Sequence, residues 1–273
     1  MARINLRDYL REIDDLIDNG RTDEAIAHSR YILELYPKHI ETYRLLGKAY
    51  LETQRYSDAA DVLQRVLSSI PDDFISHLGM SIIREDEGNF EAAIWHMERA
   101  FEVQPSNAAI QGELRRLYGR RDGLEPTKIH LTRGALARMY AKGDLYEQAI
   151  AEIRATLSQE PQRTDLKVLL ARMYVQNGQH VEAAKICSNI LQGYPNCKEA
   201  NQILGEILPG TDRSDESVNY HQRLQAMDPY AAHISPSTPS SELVPDNVIT
   251  LERHEWTPGD TGGAKESRPD WAA

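Results

Sequence analysis

The chain has 273 residues, with 42 acidic against 31 basic side chains and a net charge of −11, which excludes a protein that coats nucleic acid through bulk positive charge. Apolar residues make up 41% and charged residues 27%, enough to build a core, while two cysteines are too few for a disulfide framework. No apolar run reaches the roughly 18–20 residues that cross a bilayer, and residues 1–9 lack the apolar stretch of a secretory signal, so the expectation is a soluble cytoplasmic protein.

A period runs along the chain. Prolines stand at Pro37, Pro71, Pro105, Pro161, Pro195 and Pro229, spaced by 34, 34, 56, 34 and 34 residues. Twelve residues before each lies a small side chain: Ala25, Ala59, Ala93, Ala149, Ala183 and Ser217. Counting back from the prolines starts the repeats at Leu6, Ile40, Phe74, Ala108, His130, Thr164 and Lys198. With those residues as slot one, slot eight is also small in most copies: Gly47, Ser81, Ala137, Ala171 and Gly205. Two antiparallel helices that approach closely require small residues where they cross, because a larger side chain overpacks at a cost of about 1–3 kcal/mol. Turns are expected at Asn19-Gly20, Gly88-Asn89, Lys142-Gly143-Asp144 and Asn177-Gly178, where Gly or Asn can take positive φ. The prolines close one hairpin and open the next.

In chain order, three full repeats are followed by a lone helix over 107–118, so that residues 6–118 form a first array. The run Gly119-Arg120-Arg121-Asp122-Gly123-Leu124-Glu125-Pro126 reads as loop and places a phase break at 119–127. The interval of 56 is 34 plus 22, one helix short, so the unit at Ala108 has lost its second helix. Its slot eight is Arg115, which agrees with nothing crossing there. A second array of three repeats covers 128–229, the last degenerate because Pro209-Gly210 shortens its first helix and 214–227 supplies the second. Thirteen helices are predicted. Residues 230–273 carry five prolines, many Ser and Thr, a charge of −4 and no repeat, and read as a disordered tail. Within it, Asp246–Glu252 is expected to form a short helix capped by Asp246, and Trp256 and Trp271 are candidate anchors for docking into a groove.

The stretch Tyr43-x-x-Leu46-Gly47-x-x-Tyr50, with Ala59, Leu63, Val66 and Pro71, resembles the tetratricopeptide repeat, a 34-residue helix–turn–helix unit. Leu170-Ala171-x-x-Tyr174 with Gly178, Ala183, Cys187, Ile190 and Pro195 is similar to it again. The resemblance covers residues 6–229 and implies an all-α, right-handed α-solenoid that serves as a protein-docking scaffold. It also implies that slots two, five, nine, twelve and thirteen of the first helices line the concave face. Those slots offer Arg44, Lys48, Arg116, Arg120, Arg138, Lys142 and Arg172 as groove cations. Residues 115–172 hold 12 basic and 7 acidic side chains, a local +5, which points to an acidic or extended peptide as partner. The acidic tail is itself a candidate occupant. The asparagine–lysine carboxylate clamp of some relatives is missing: slots five and nine carry Leu10 and Asp14, Arg44 and Lys48, then Leu78 and Ile82. No catalytic motif, metal-ligand spacing or cofactor loop is present, so a non-enzymatic scaffold is expected, with a nucleic-acid-associated binder using 115–172 or a structural subunit as alternatives.

Overall fold

A computed structural model describes residues 3–259. Thirteen α-helices occupy the described residues. In order they are α1 Leu6–Asp18, α2 Thr22–Leu35, α3 Ile40–Glu52, α4 Tyr56–Ser69, α5 Phe74–Asp86, α6 Phe90–Val103 and α7 Ala108–Asp122. They continue with α8 Arg133–Lys142, α9 Tyr146–Gln159, α10 Thr164–Gln176, α11 His180–Gly193, α12 Lys198–Ile207 and α13 Ser217–Met227. Two three-residue strands, β1 Arg3–Asn5 and β2 Thr250–Glu252, pair antiparallel with Ile4 opposite Leu251. The fold is a stack of helical hairpins.

The period is visible in the helix ends. α2, α4, α6, α9, α11 and α13 each stop two residues before Pro37, Pro71, Pro105, Pro161, Pro195 and Pro229. The crossings are tight where small residues recur. A Cβ on Gly47 would lie 2.5 Å from Cδ2 of Leu63, and the Ser81 hydroxyl donates to the Ala93 carbonyl across the hairpin at 2.8 Å. Slot fifteen carries the turn in five hairpins: Gly20, Gly88 and Gly178 have φ of 73–74°, and Gln54 and Asp144 reach 57°. Gly143 therefore does not hold the turn expected of it; Asp144 does. A further regularity joins consecutive repeats. The side chain six residues after a proline donates back to that proline's carbonyl: Tyr43 to Pro37, His77 Nε2 to Pro71, Gln111 to Pro105 and Asn201 to Pro195, at 2.7–3.0 Å.

The described residues form two units, residues 3–66 with 218–259 and residues 67–217. In the second unit α6 packs against both α7 and α8, because no helix intervenes between those two. The break lies later than the sequence suggests. α7 runs through Arg120 and Arg121 to Asp122, where Gly123 (φ 79°) ends it, and residues 123–132 are the connector. α8 starts at Arg133 rather than His130. Basic residues in the last turn favour this extension, since they lie against the negative end of the helix dipole. Ile129 of the connector packs on the core of Ile94, Met97, Phe101, Ile110, Leu114 and Leu117, while Arg115 faces solvent as an uncovered slot eight should.

In the first unit, residues 230–259 depart from the disorder expected of them. Tyr230, Val244 and Leu251 are buried, and the segment is laid against α1 and β1. In place of the short helix expected at Asp246–Glu252 there is a 3-10 turn over Asp246–Val248 and then strand β2. The Asp246 carboxylate accepts from Arg7 instead of capping a helix. Composition misled here because the ordering comes from contacts with residues some 240 positions earlier.

Candidate functional site: a helical groove in residues 67–217

α10 and α12 lie side by side within the second unit, and the turn at 69–72 closes one side of the space between them. The resulting groove holds about 400 Å³. From α10 it is lined by Val168, Arg172, Val175 and Gln176, which are slots five, nine, twelve and thirteen. From α12 come Glu199, Gln202 and Glu206, slots two, five and nine, together with Lys198 and Ile203. Ile70, Pro71 and Asp72 complete it. Val168 and Ile203 form an apolar floor, and the Gln176 and Gln202 amides stand exposed above it. Amides that both donate and accept suit the main chain of an extended peptide.

The wall at 69–72 is held from behind. His77 Nε2 donates to the Pro71 carbonyl, so its Nδ1 is the acceptor for the Nδ1–H of His96, 3.0 Å away. Trp95 meets both imidazoles edge-on. Burial, then the neighbouring His77, pushes His96 down to about 3, and burial lowers His77 as well, so the pair is neutral. Asp72 accepts from Arg138 Nη1 at 2.9 Å. Arg138 also reaches Asp165, whose carboxylate takes the Arg163 guanidinium at 2.7 and 2.8 Å. Arg163, only 1% exposed, continues to Glu102 at 2.5 Å, and Glu102 accepts from Arg99 and from Thr132, the cap of α8. Burial alone would raise the Asp165 carboxyl, but Arg163, Arg138 and Arg99 hold it well below the usual carboxylate range. This lattice of three arginines and three acids, buried apart from Asp72, ties α6, α8 and the start of α10 together. Gly134 lets α8 into it, for a Cβ there would overlap the Glu102 carboxylate.

Of the cations singled out from the sequence, Arg44, Lys48, Arg116, Arg120, Arg138 and Arg172 are engaged in ion pairs. Arg116 makes a fork with Glu85 at 2.6 and 2.7 Å, and Arg120 reaches the same carboxylate at 2.5 Å. Arg172 grips Glu199 with two donors inside the groove. Arg138 is buried and braces the wall, so it is not an open groove cation. In the first unit, Lys48 bridges Asp14 and Asp18 at 2.6 and 2.7 Å, and Arg44 pairs with Glu41. Lys142 is exposed. Trp256 is half-buried, and Trp271 lies outside the described residues. The local +5 of residues 115–172 is thus compensated by Glu85, Glu102, Glu199 and Asp72, all outside that window. Val168, Val175, Gln176, Gln202 and Ile203 were missed, although the slot rule that found Arg172 points to most of them.

Cys187 and Cys197 are buried free thiols, both pushed up by burial, Cys197 to about 12, which keeps them protonated and poorly nucleophilic. Among the described residues no cluster of three or more metal-ligating side chains is present, and no helix is long and apolar enough to cross a membrane.

A family model described as tetratricopeptide repeat matches residues 16–78 and 134–208, together half of the chain. Among curated proteins, the chain is 24% identical over 233 residues to the BBSome complex member BBS4 homolog of Drosophila melanogaster, covering 83% of this chain and 45% of that one. It is 26% identical over 115 residues to Superkiller protein 3 of Schizosaccharomyces pombe, covering 42% and 8%. The chain therefore spans less than half the length of either relative. Among solved structures, the TPR domain of P58(IPK) is 17% identical with a TM-score of 0.37, covering 80% of this chain and 60% of that one.

Proposed function

We propose, from the premise that this chain belongs to the tetratricopeptide-repeat family, that it is a non-enzymatic docking scaffold which holds an extended segment of another protein in the groove between α10 and α12. The observation that carries this reading is the groove itself. Seven side chains at the concave slots of two successive first helices converge on one space, with an apolar floor for a side chain and glutamine amides for a main chain. The groove's charges are mixed: Asp72, Glu199 and Glu206 face Arg172 and Lys198, and Arg172 is already paired. An extended, largely uncharged segment fits this lining better than a strongly acidic one, since an acidic ligand must compete with Glu199 for Arg172. One curated relative, the BBSome complex member BBS4 homolog, is named as a member of a complex, which agrees with a docking role without assigning its partners to this chain.

A photo-crosslinking residue at Gln202 in the full chain is the test. Capture of a bound partner peptide through position 202, and not through the exposed but remote Val181, supports the groove; equal capture at both positions contradicts it.

A further inference from the structure

The first hairpin of a repeat stack has no preceding hairpin to cover it, and its outer face must meet water or something else. Here it meets the chain's own C-terminal segment, through a built set of contacts. Arg7 is the hub. Its Nη1 donates to the Val244 carbonyl at 2.7 Å and to Asp246 at 2.6 Å, its Nη2 donates to the Ser241 carbonyl at 2.5 Å, and its guanidinium lies 3.9 Å over the Tyr230 ring. The Leu6 amide donates to the Ile249 carbonyl at 3.0 Å, and β2 then adds to β1. Beyond the strand, Arg253 pairs with Glu12, and the His254 amide donates to the Tyr9 hydroxyl at 3.0 Å. The His254 imidazole stacks on Tyr31 of α2 at 5.2 Å.

Most of these bonds read a main chain: three carbonyls and a three-residue ladder that any extended segment could supply. The sequence-specific part is small. Besides the Tyr230 ring and the His254 imidazole, it consists of an aspartate facing Arg7 and Arg11, an aliphatic side chain five positions later in the buried site of Leu251, and a cation two positions after that facing Glu12. Ionic and edge-strand contacts of this size are individually weak. A tethered segment holds them because tethering supplies an effective concentration on the order of mM.

We propose that the outer face of α1 and α2 is a second peptide-docking surface, for a partner protein's extended segment carrying that acid–aliphatic–cation pattern, and that residues 230–254 are its built-in competitor. A partner binds by taking the place of the tail. The groove between α10 and α12 is not involved, so the two proposals stand or fall separately.

The test uses the full chain with changes confined to the tail, so that the docking face keeps its own residues. A fluorescent peptide of residues 240–256 is titrated into the wild-type chain and into the variant carrying Asp246→Lys, Leu251→Asp and Arg253→Glu. The variant is expected to bind the peptide on the order of tenfold more tightly or better, because the competitor is gone, and adding Arg7→Ala is expected to abolish the gain. The single exposed-side change Asp246→Lys gives a smaller gain of the same sign if the triple variant folds poorly. Equal affinity for wild type and variants overturns the proposal, as does no binding to a variant whose circular dichroism matches wild type. Light scattering of the wild-type chain is expected to give a monomer. A concentration-dependent dimer lost in the tail variant would also overturn it, placing the tail of a second copy on this face.

Discussion

Single residues of this chain report what the repeat demands of each slot. Slot fifteen takes a left-handed backbone in five hairpin turns, and three copies meet it with glycine. Gln54 meets it at φ 57° without that freedom, at a steric cost of about 1–2 kcal/mol for an L side chain. Gln54→Gly is therefore expected to stabilise the fold by roughly 0.5–1 kcal/mol, the unfolded chain's gain in entropy offsetting part of the relief; denaturant titration measures it. Titration supplies a second expectation at this scale. His77 and His96 are buried and neutral, with folded values below the ordinary 6.5. A base held neutral by the fold contributes stability that is complete above its unfolded pKa and is lost as pH falls below it. Unfolding free energy should thus decline from pH 6.5 towards 5, by up to about 1.4 kcal/mol per pH unit for each histidine. His96→Asn keeps a donor towards His77 and should flatten that slope; an unchanged slope would assign it elsewhere.

Helices and connectors show which parts of the structure the sequence could announce. Every second helix ends where its proline says, because a pyrrolidine cannot continue the helix and because the next helix is tied back to that proline's carbonyl. The lost helix was legible from the interval of 56 and from Arg115. Its consequence was not. Arg99, Glu102, Arg138, Arg163 and Asp165 look like solvated charges in any local window, and only the stack brings them together. The partners of the groove cations lie about one repeat away, with Arg116 and Glu85 separated by 31 residues and Arg172 and Glu199 by 27. Counting charge along the sequence therefore overstates the basic patch. The lattice also makes Arg138 a positioning residue, since it holds Asp72 in the groove wall without facing the space a ligand would fill. Arg138→Ala leaves the buried Asp165 carboxylate with Arg163 alone and frees Asp72 from the wall, and is expected to cost about 3 kcal/mol. It should weaken peptide binding together with thermal stability, whereas Gln202→Ala, exposed and outside the lattice, should weaken binding alone. Parallel melting and binding curves for the two variants check this.

At the scale of the molecule, both proposed surfaces follow from a repeat stack having a lined inner face and an uncovered end. Most residues lining the groove between α10 and α12 fall at slots that the repeat resemblance had singled out. The covered end was not legible in this way, because a Ser- and Pro-rich segment with a net charge of −4 gives no local sign of order. Its order is borrowed from Arg7, β1 and Glu12 at the other end of the chain. Burial keeps the thiols of Cys187 and Cys197 protonated.

The most direct measurement is calorimetric binding of peptides selected against the full chain from a random display library, compared between wild type and Gln202→Trp, which fills the groove from an exposed position. The account predicts that wild type binds such peptides in an extended form and that the tryptophan weakens them at least about tenfold, or 1.4 kcal/mol, with the melting temperature unchanged. Peptides that bind both chains equally well would contradict it, for the groove between α10 and α12 would then not be where this scaffold holds its partner.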